Sequence, residues 1–369
     1  MAKLGLGRRD VVAGLSAMTA MGLLGCGKAD GPADTADAGA GPIPTPSGST
    51  TAPPPPPSGD YFPPNGSDAW ETADPAATGW SPAGLDALVK LVEANKSSSF
   101  MMLVDGRVLL ERYFLTATAT TQTDVASVQK SFTSTLIGLA RDRKLLTLDD
   151  TVSSHLPAGW SKADPADEAR ITLRHLMTHS SGLNPNTLVK VAEPGARFDY
   201  NTNAYQKLRA VLEKVAAKDI NALSREWLFD AIGVGGTWVS RGQVDPVGAP
   251  IWGLELRARD MARFGLLATR GGLWSGKPVT AAGWFAEAWT PSAAKADYGL
   301  LWWLQGRGSM KGKAPADLVS ALGARDQKIY VVPSMKLVVT RQGLAAGTAA
   351  EAESDFDAQL LKAIADARA

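Results

Sequence analysis

The chain has 369 residues, 45% of them hydrophobic, and carries 38 Lys and Arg against 37 Asp and Glu, a net charge of +1 at neutral pH. With no basic cluster in its globular part, that balance excludes an electrostatic footprint for a phosphate backbone, so no nucleic-acid partner is expected. The only cysteine is Cys26, which excludes disulfides and thiol chemistry as the basis of a folded domain.

Residues 1–25 read as an export signal, with a basic start ending in Arg8-Arg9 and an apolar run over 11–24 that is too short to span a bilayer comfortably. Two arginines one residue before Val11-Val12 form the twin-arginine arrangement, which leaves that route and the general one both open. Leu23-Leu24-Gly25-Cys26 resembles the lipobox of bacterial lipoproteins. The resemblance implies acylation of Cys26 and an exported protein, lipid-anchored in the bacterial cell envelope on the periplasmic or outer-membrane side. An ordinary cleaved signal with a stray cysteine is the plainer alternative. Residues 26–66 are Ala, Gly, Pro, Ser, Thr and Asp with a proline run at 53–57, the composition of a tether with little to bury. Residues 67–369 remain for the folded domain, expected to be a monomer.

Ser81-Pro82 opens a helix whose apolar positions are Leu85, Leu88, Val89, Leu91 and Val92. Two apolar runs, 100–104 and 107–113, flank Asp105-Gly106 and predict a hairpin. From Ser127 to about 291 the pattern is mainly helical, over 127–143, 172–178, 204–216, 222–231 and 259–269. Strands return at 298–304, 316–322, 328–332 and 337–341, and 350–365 closes as a helix. Strands at both ends with helices between predict a mixed α/β (α+β) fold. An antiparallel sheet is flanked by N- and C-terminal helices, with a mainly helical lobe inserted at about 127–291. A site at the seam of the two lobes is the default expectation.

The three histidines, His155, His175 and His179, lack the partners of a metal site, and no G-x-S-x-G motif is present. No metal or cofactor is expected. Ser127 and Lys130, three apart at the start of a long apolar helix, lie on one face. The helix N-terminus favours negative charge developing at the serine. Lysine can act as a base only when desolvated or beside another cation, because its free pKa of about 10.4 leaves it protonated. Taken alone the spacing is weak. Ser292 and Lys295 repeat it, and Ser127 could be a helix cap with Lys130 in solvent. Two further segments add to it. In the run from Pro194 to Tyr205, Tyr200 sits on a loop before a helix that Thr202 or Asn203 could cap. In Ala321-Leu322-Gly323-Ala324, a glycine at a strand edge permits close approach of the backbone to a substrate.

The order S-x-x-K, then P-G-x-x-F-x-Y-x-[ST], then a strand ending Ala-x-Gly-Ala resembles the serine β-lactamase and penicillin-binding-protein superfamily. It is most similar to the class C β-lactamase-like branch with carboxylesterases and 6-aminohexanoate-dimer hydrolase. Residues 173–183 and 259–265 are similar to two further recurrent segments of that branch, and the resemblance runs from about Trp80 to Ala365. It implies Ser127 as nucleophile, Lys130 as its base and Tyr200 as proton shuttle to the leaving group. The oxyanion hole would be the N–H groups of Ser127 and Ala324. Thr202, Gly323, Arg325 and Trp303 are expected at the substrate pocket. Strand alternation turns one of Trp302 and Trp303 to the core and the other to the pocket, and His175 and His179 are expected to bond backbone.

Three departures shape the expected activity. Tyr200-Asn201-Thr202 replaces Tyr-Ser-Asn, Ala321-Leu322-Gly323 replaces Lys-Thr-Gly, and Ala324, Arg325 and Asp326 alter the mouth of the site. Losing Lys and Thr removes the cation and hydroxyl that would hold a β-lactam or peptide carboxylate. A small-molecule ester or amide is therefore the expected substrate. The alternatives are a D,D-peptidase or β-lactamase, or a non-catalytic envelope binding module. Arg325 could hold an acidic substrate, although a surface ion pair near Asp326 is its plainer use.

Overall fold

The structure is a computed structural model that describes residues 60–347 and 352–368. The export signal, Cys26 and the expected linker up to residue 59 lie outside the described residues.

Six antiparallel strands form the main sheet: β1 (Ser97–Val104), β2 (Arg107–Tyr113), β8 (Trp303–Leu304), β9 (Val319–Gly323), β10 (Gln327–Val332) and β11 (Leu337–Gly343). Their spatial order is β2-β1-β11-β10-β9-β8, so the first strands and the last are neighbours. Both faces are covered, which is why β1 and β10 read as continuous apolar runs without polar alternation. Phe100 and Met102 enter the core shared with the helices Pro82–Ala94 and Asp355–Asp366, whereas Met101 and Leu103 enter the larger core beneath the helical lobe. Asp105 and Gly106 close the β1–β2 hairpin with φ of +50° and +85°, the pair of left-handed residues a tight two-residue turn needs. Ser81 caps the first helix, its side chain accepting the Gly84 N–H at 3.2 Å.

The inserted lobe is mainly helical, but it also carries a three-stranded sheet that the sequence reading omitted. β4 (Thr237–Val244) and β5 (Pro250–Leu256) form an antiparallel hairpin, and β3 (Thr123–Asp124) pairs with β5 just ahead of Ser127. A further pair, β6 (Leu273–Trp274) and β7 (Lys277–Pro278), closes a tight turn. The expected helix at 222–231 divides into Ile220–Ser224, a π-helical turn Arg225–Phe229 and Asp230–Ile232. The expected strand at 298–304 shrinks to β8, because Leu301 takes φ +63° and Tyr298 bridges back to Trp303.

The linker boundary at 66 also shifts. Asp60 to Gly66 pack on the domain. Asn65 Nδ2 donates to the carbonyls of Asp230 and Ala231 at 3.0 and 2.9 Å, and the buried Arg263 donates to Pro64 O at 2.9 Å. Composition identified a polar, proline-rich stretch, but backbone carbonyls that serve as acceptors carry no compositional signal.

Candidate active site

Ser127 lies in a 3-10 turn, Ala126–Val128, that runs into the helix Gln129–Asp142. The turn is fixed from both sides. Asp124 Oδ1 accepts the Ala126 N–H at 2.7 Å, and the Val125 N–H donates to Leu254 O at 3.0 Å. Ala126 is held at φ +51°, a left-handed conformation that side-chain-bearing residues avoid and that recurs at functional sites. Ser127 is not the helix cap. Its Oγ accepts from Lys130 Nζ at 3.0 Å.

Lys130 is buried, with 2% exposure, so it is not a solvated lysine at the rim of a helix. Its ammonium lies 3.3 Å from Thr202 Oγ1 and 4.5 and 4.9 Å from the ring centres of Tyr205 and Tyr200. Burial, with the positive charge of Arg241 second, lowers its pKa to about 7. Among the described residues no carboxylate opposes that shift, and Asp124 makes a bidentate ion pair with Arg241 at 2.7 Å.

Tyr200 arrives on the loop between the Pro194-Gly195 turn and the helix Thr202–Tyr205. That helix is capped by Asn201, whose side chain accepts the Ala204 N–H at 2.8 Å, in place of the expected Thr202 or Asn203. His179 holds the loop, its Nδ1 accepting the Asn201 N–H at 3.1 Å and its ring lying 4.3 Å from that of Tyr200. Burial and the charge of Lys130 keep this imidazole neutral. His175 Nδ1 accepts the Thr172 N–H at 3.1 Å, so both histidines bond backbone. Burial pushes the Tyr200 phenol up to about 12, while its hydrogen bond with Ser127 and the charge of Arg307 pull the other way.

The strand β9 closes the site. A Cβ built on Gly323 would stand 2.4 Å from Val125 O and 3.0 Å from Ser127 N, so the backbone passes directly beside the Ser127 N–H. Ala324 follows, half-buried, at the start of the turn to β10. Trp302 is fully buried and stacks on Phe264 at 5.9 Å, while Trp303, buried in the smaller core, lies parallel to Tyr200 at 5.9 Å. Arg307 stands 3.7 Å above Trp303.

The structure places Thr202 and Arg325 differently from one another. Thr202 turns inward to Lys130. Arg325 is exposed and lines a groove of about 370 Å³ with Leu115, Asp124 and Leu344, and among the described residues it makes no ion pair. Asp326 is fully buried and bonds Lys328 Nζ at 3.0 Å. Leu322 is buried in the smaller core. Sequence reasoning missed Tyr205, Arg241 and Arg307. Arg241 lies in the overlooked hairpin and Arg307 in the loop after β8, and no motif marks either. In sum, the arrangement sets a hydroxyl, an amine that titrates near neutrality and a phenol within mutual reach, the elements of nucleophilic catalysis.

Comparison with known proteins agrees with this fold. The model of the beta-lactamase family matches residues 85–364. The chain belongs to the beta-lactamase family, a fold family of hydrolases. Over 65 residues it is 40% identical to the beta-lactamase-like protein str5 of Strobilurus tenacellus, a stretch that is 16% of this chain and only 23% of that relative's length. Among solved structures it is similar to a 6-aminohexanoate-dimer hydrolase homologue from Bacillus anthracis, at TM-score 0.60 and 19% identity over 76% of this chain and 80% of the other. It is also similar to the D-alanine carboxypeptidase AmpC of Burkholderia cenocepacia, at TM-score 0.58 and 16% identity over 77% and 99%. At these identities the likeness is one of fold.

Proposed function

We propose that this chain is a serine hydrolase that forms an acyl-enzyme on Ser127 and cleaves an ester or a small amide. The observation that carries this reading is the buried Lys130, with a pKa near 7, set 3.0 Å from Ser127 Oγ. In its neutral form Lys130 takes the Ser127 proton as Oγ bonds to the substrate carbonyl carbon. The resulting oxyanion is held by the N–H groups of Ser127 and Ala324, a donor pair worth roughly a few kcal/mol in the transition state. The neutral Tyr200 passes its proton to the departing alkoxide or amine as the bond to carbon breaks and regains one from the Lys130 ammonium; water, giving a proton to the now neutral Lys130, then attacks the acyl carbon, and that proton returns to Ser127 Oγ as the acid leaves.

The burial of Leu322 supports an ester or small amide over a D,D-peptide or β-lactam. A carboxylate-bearing substrate would meet neither a cation nor a hydroxyl there. Intact-mass spectrometry after exposure to a fluorophosphonate tests the proposal. One adduct on the wild type and none on Ser127→Ala is the expected result. No adduct on a folded wild type would overturn it in favour of a binding module.

A further inference from the structure

The turn that carries Ala324 is built against its own steric preference. Arg325 and Asp326 have φ of +61° and +60°, two consecutive left-handed residues that both bear side chains. Glycine adopts that conformation freely, and other residues do so at a steric cost. Something must hold the turn there.

Arg341, on β11 and fully buried, supplies the hold. Its Nη1 donates to the carbonyl oxygens of Arg325 and Asp326, each at 3.0 Å. Nη2 donates to Asn95 O at 2.7 Å and Leu344 O at 2.8 Å, and Nε to Ser97 Oγ at 3.0 Å, so the guanidinium is anchored in the sheet on its far side. Burial lowers its pKa to about 10, which leaves it cationic at neutral pH. The Asp326 carboxylate fixes the turn from another direction, accepting from Ala346 N and Ser354 Oγ at 2.9 Å each while it pairs with Lys328. A guanidinium taken out of water is a costly device for closing a hairpin that two glycines would close unaided. Its effect is to fix the 325–326 and 326–327 peptide planes, one residue beyond Ala324, while Gly323 fixes the plane before Ala324 against Ser127 N. Oxyanion donors demand such placement, because their benefit is lost when they stray by about 0.5 Å.

We infer that Arg341 is a positioning residue whose guanidinium clamps the Arg325 and Asp326 carbonyls so that the Ala324 N–H stays aimed beside that of Ser127. The inference rests on the reading of those two N–H groups as the oxyanion pair of a serine hydrolase.

The test is the rate of Ser127 labelling by a fluorophosphonate, whose attack also develops charge on an oxygen in that hole. Arg341→Lys is expected to lower the maximal labelling rate about tenfold or more, with the half-saturating concentration within about twofold of wild type. Arg263→Lys, an equivalent change in a buried arginine that clamps carbonyls on the far segment 63–67, is expected to lower Tm comparably and leave the rate unchanged. Adding Arg325→Gly to Arg341→Lys should restore part of the lost rate, because glycine holds the turn unaided. Should Arg341→Lys not fold, Ser97→Ala removes one anchor and is expected to slow labelling about two- to threefold. A labelled wild type with an equally fast Arg341→Lys or Ser97→Ala overturns the clamp alone, as does Arg263→Lys slowing labelling as much as Arg341→Lys. An unlabelled wild type overturns the hydrolase reading, and the clamp with it.

Discussion

Burial takes the Lys130 ammonium out of water, and this governs how the site responds to pH. With a pKa lowered to about 7, a Lys130 that acts as the proposed base works in its neutral form, so kcat/KM for an ester should rise about tenfold per pH unit up to about 7 and level off above it. A pH–rate profile checks this, and a profile flat from pH 5 to 9 would remove Lys130 from the role of base. The same shift acts on stability. The unfolded chain holds the lysine proton up to its ordinary pKa and the folded chain releases it near 7, so stability rises with pH between the two. Below pH 7 the folded state bears the full cost of a buried ammonium. Lys130→Met should therefore raise the melting temperature at pH 6, by the equivalent of about 1 kcal/mol or more, and by less at pH 10. Thermal unfolding at the two pH values decides it. The sequence displays the spacing of Ser127 and Lys130 on one helical face. It does not display the burial, which arises when Tyr200, Thr202 and Tyr205 are folded over the amine from 70 or more residues away.

At the scale of elements, periodicity identified the long amphipathic helices and the strands of the main sheet, because both faces of that sheet are buried and their apolar runs are unbroken. It failed where tertiary contacts decide the backbone. The β4–β5 hairpin is half-exposed, with polar Ser240, Arg241 and Gln243 in β4, so its alternation is too weak to read. β8 is curtailed by a left-handed Leu301 that no local residue preference foretells. β9 was legible as a strand, yet its closest contact was visible only as a glycine. Gly323→Ala would drive a methyl to 2.4 Å from Val125 O. The expected result is a loss of about 10²-fold or more in kcat/KM with a far smaller proportional effect on stability, because only the seam beside Ser127 must open. Steady-state kinetics beside a melting curve distinguishes this from general unfolding, and an active Gly323→Ala would show that the seam tolerates a side chain.

For the whole molecule, the segment beginning at Asp60 belongs to the folded unit. A chain starting at residue 60 keeps that segment. One starting at residue 68 leaves Arg263 without its acceptors on Pro63, Pro64 and Ser67, at 3.3, 2.9 and 3.3 Å. A loss of about 1–3 kcal/mol is expected, read as a lower melting temperature, and equal melting of the two chains would show that the segment only rests on the surface. The sheet order has a consequence for the time course of folding. β1 finds its partner β11 more than 230 residues later, in a register that runs from Ser97 opposite Gly343 to Val104 opposite Leu337. Pairing of such high sequence separation is slow, because the loop between must close before any contact repays it. As the chain leaves the ribosome, the helical lobe emerges before the last strands that complete its core, and β1 and β2 wait as an open-edged hairpin, a template for association with other chains. The strand that quenches that edge is the one that bears Arg341, so completion of the sheet and alignment of the turn beside Ser127 become a single late event. A nascent or truncated chain that lacks β11 would hold Ser127, Lys130 and Tyr200 without the geometry to use them.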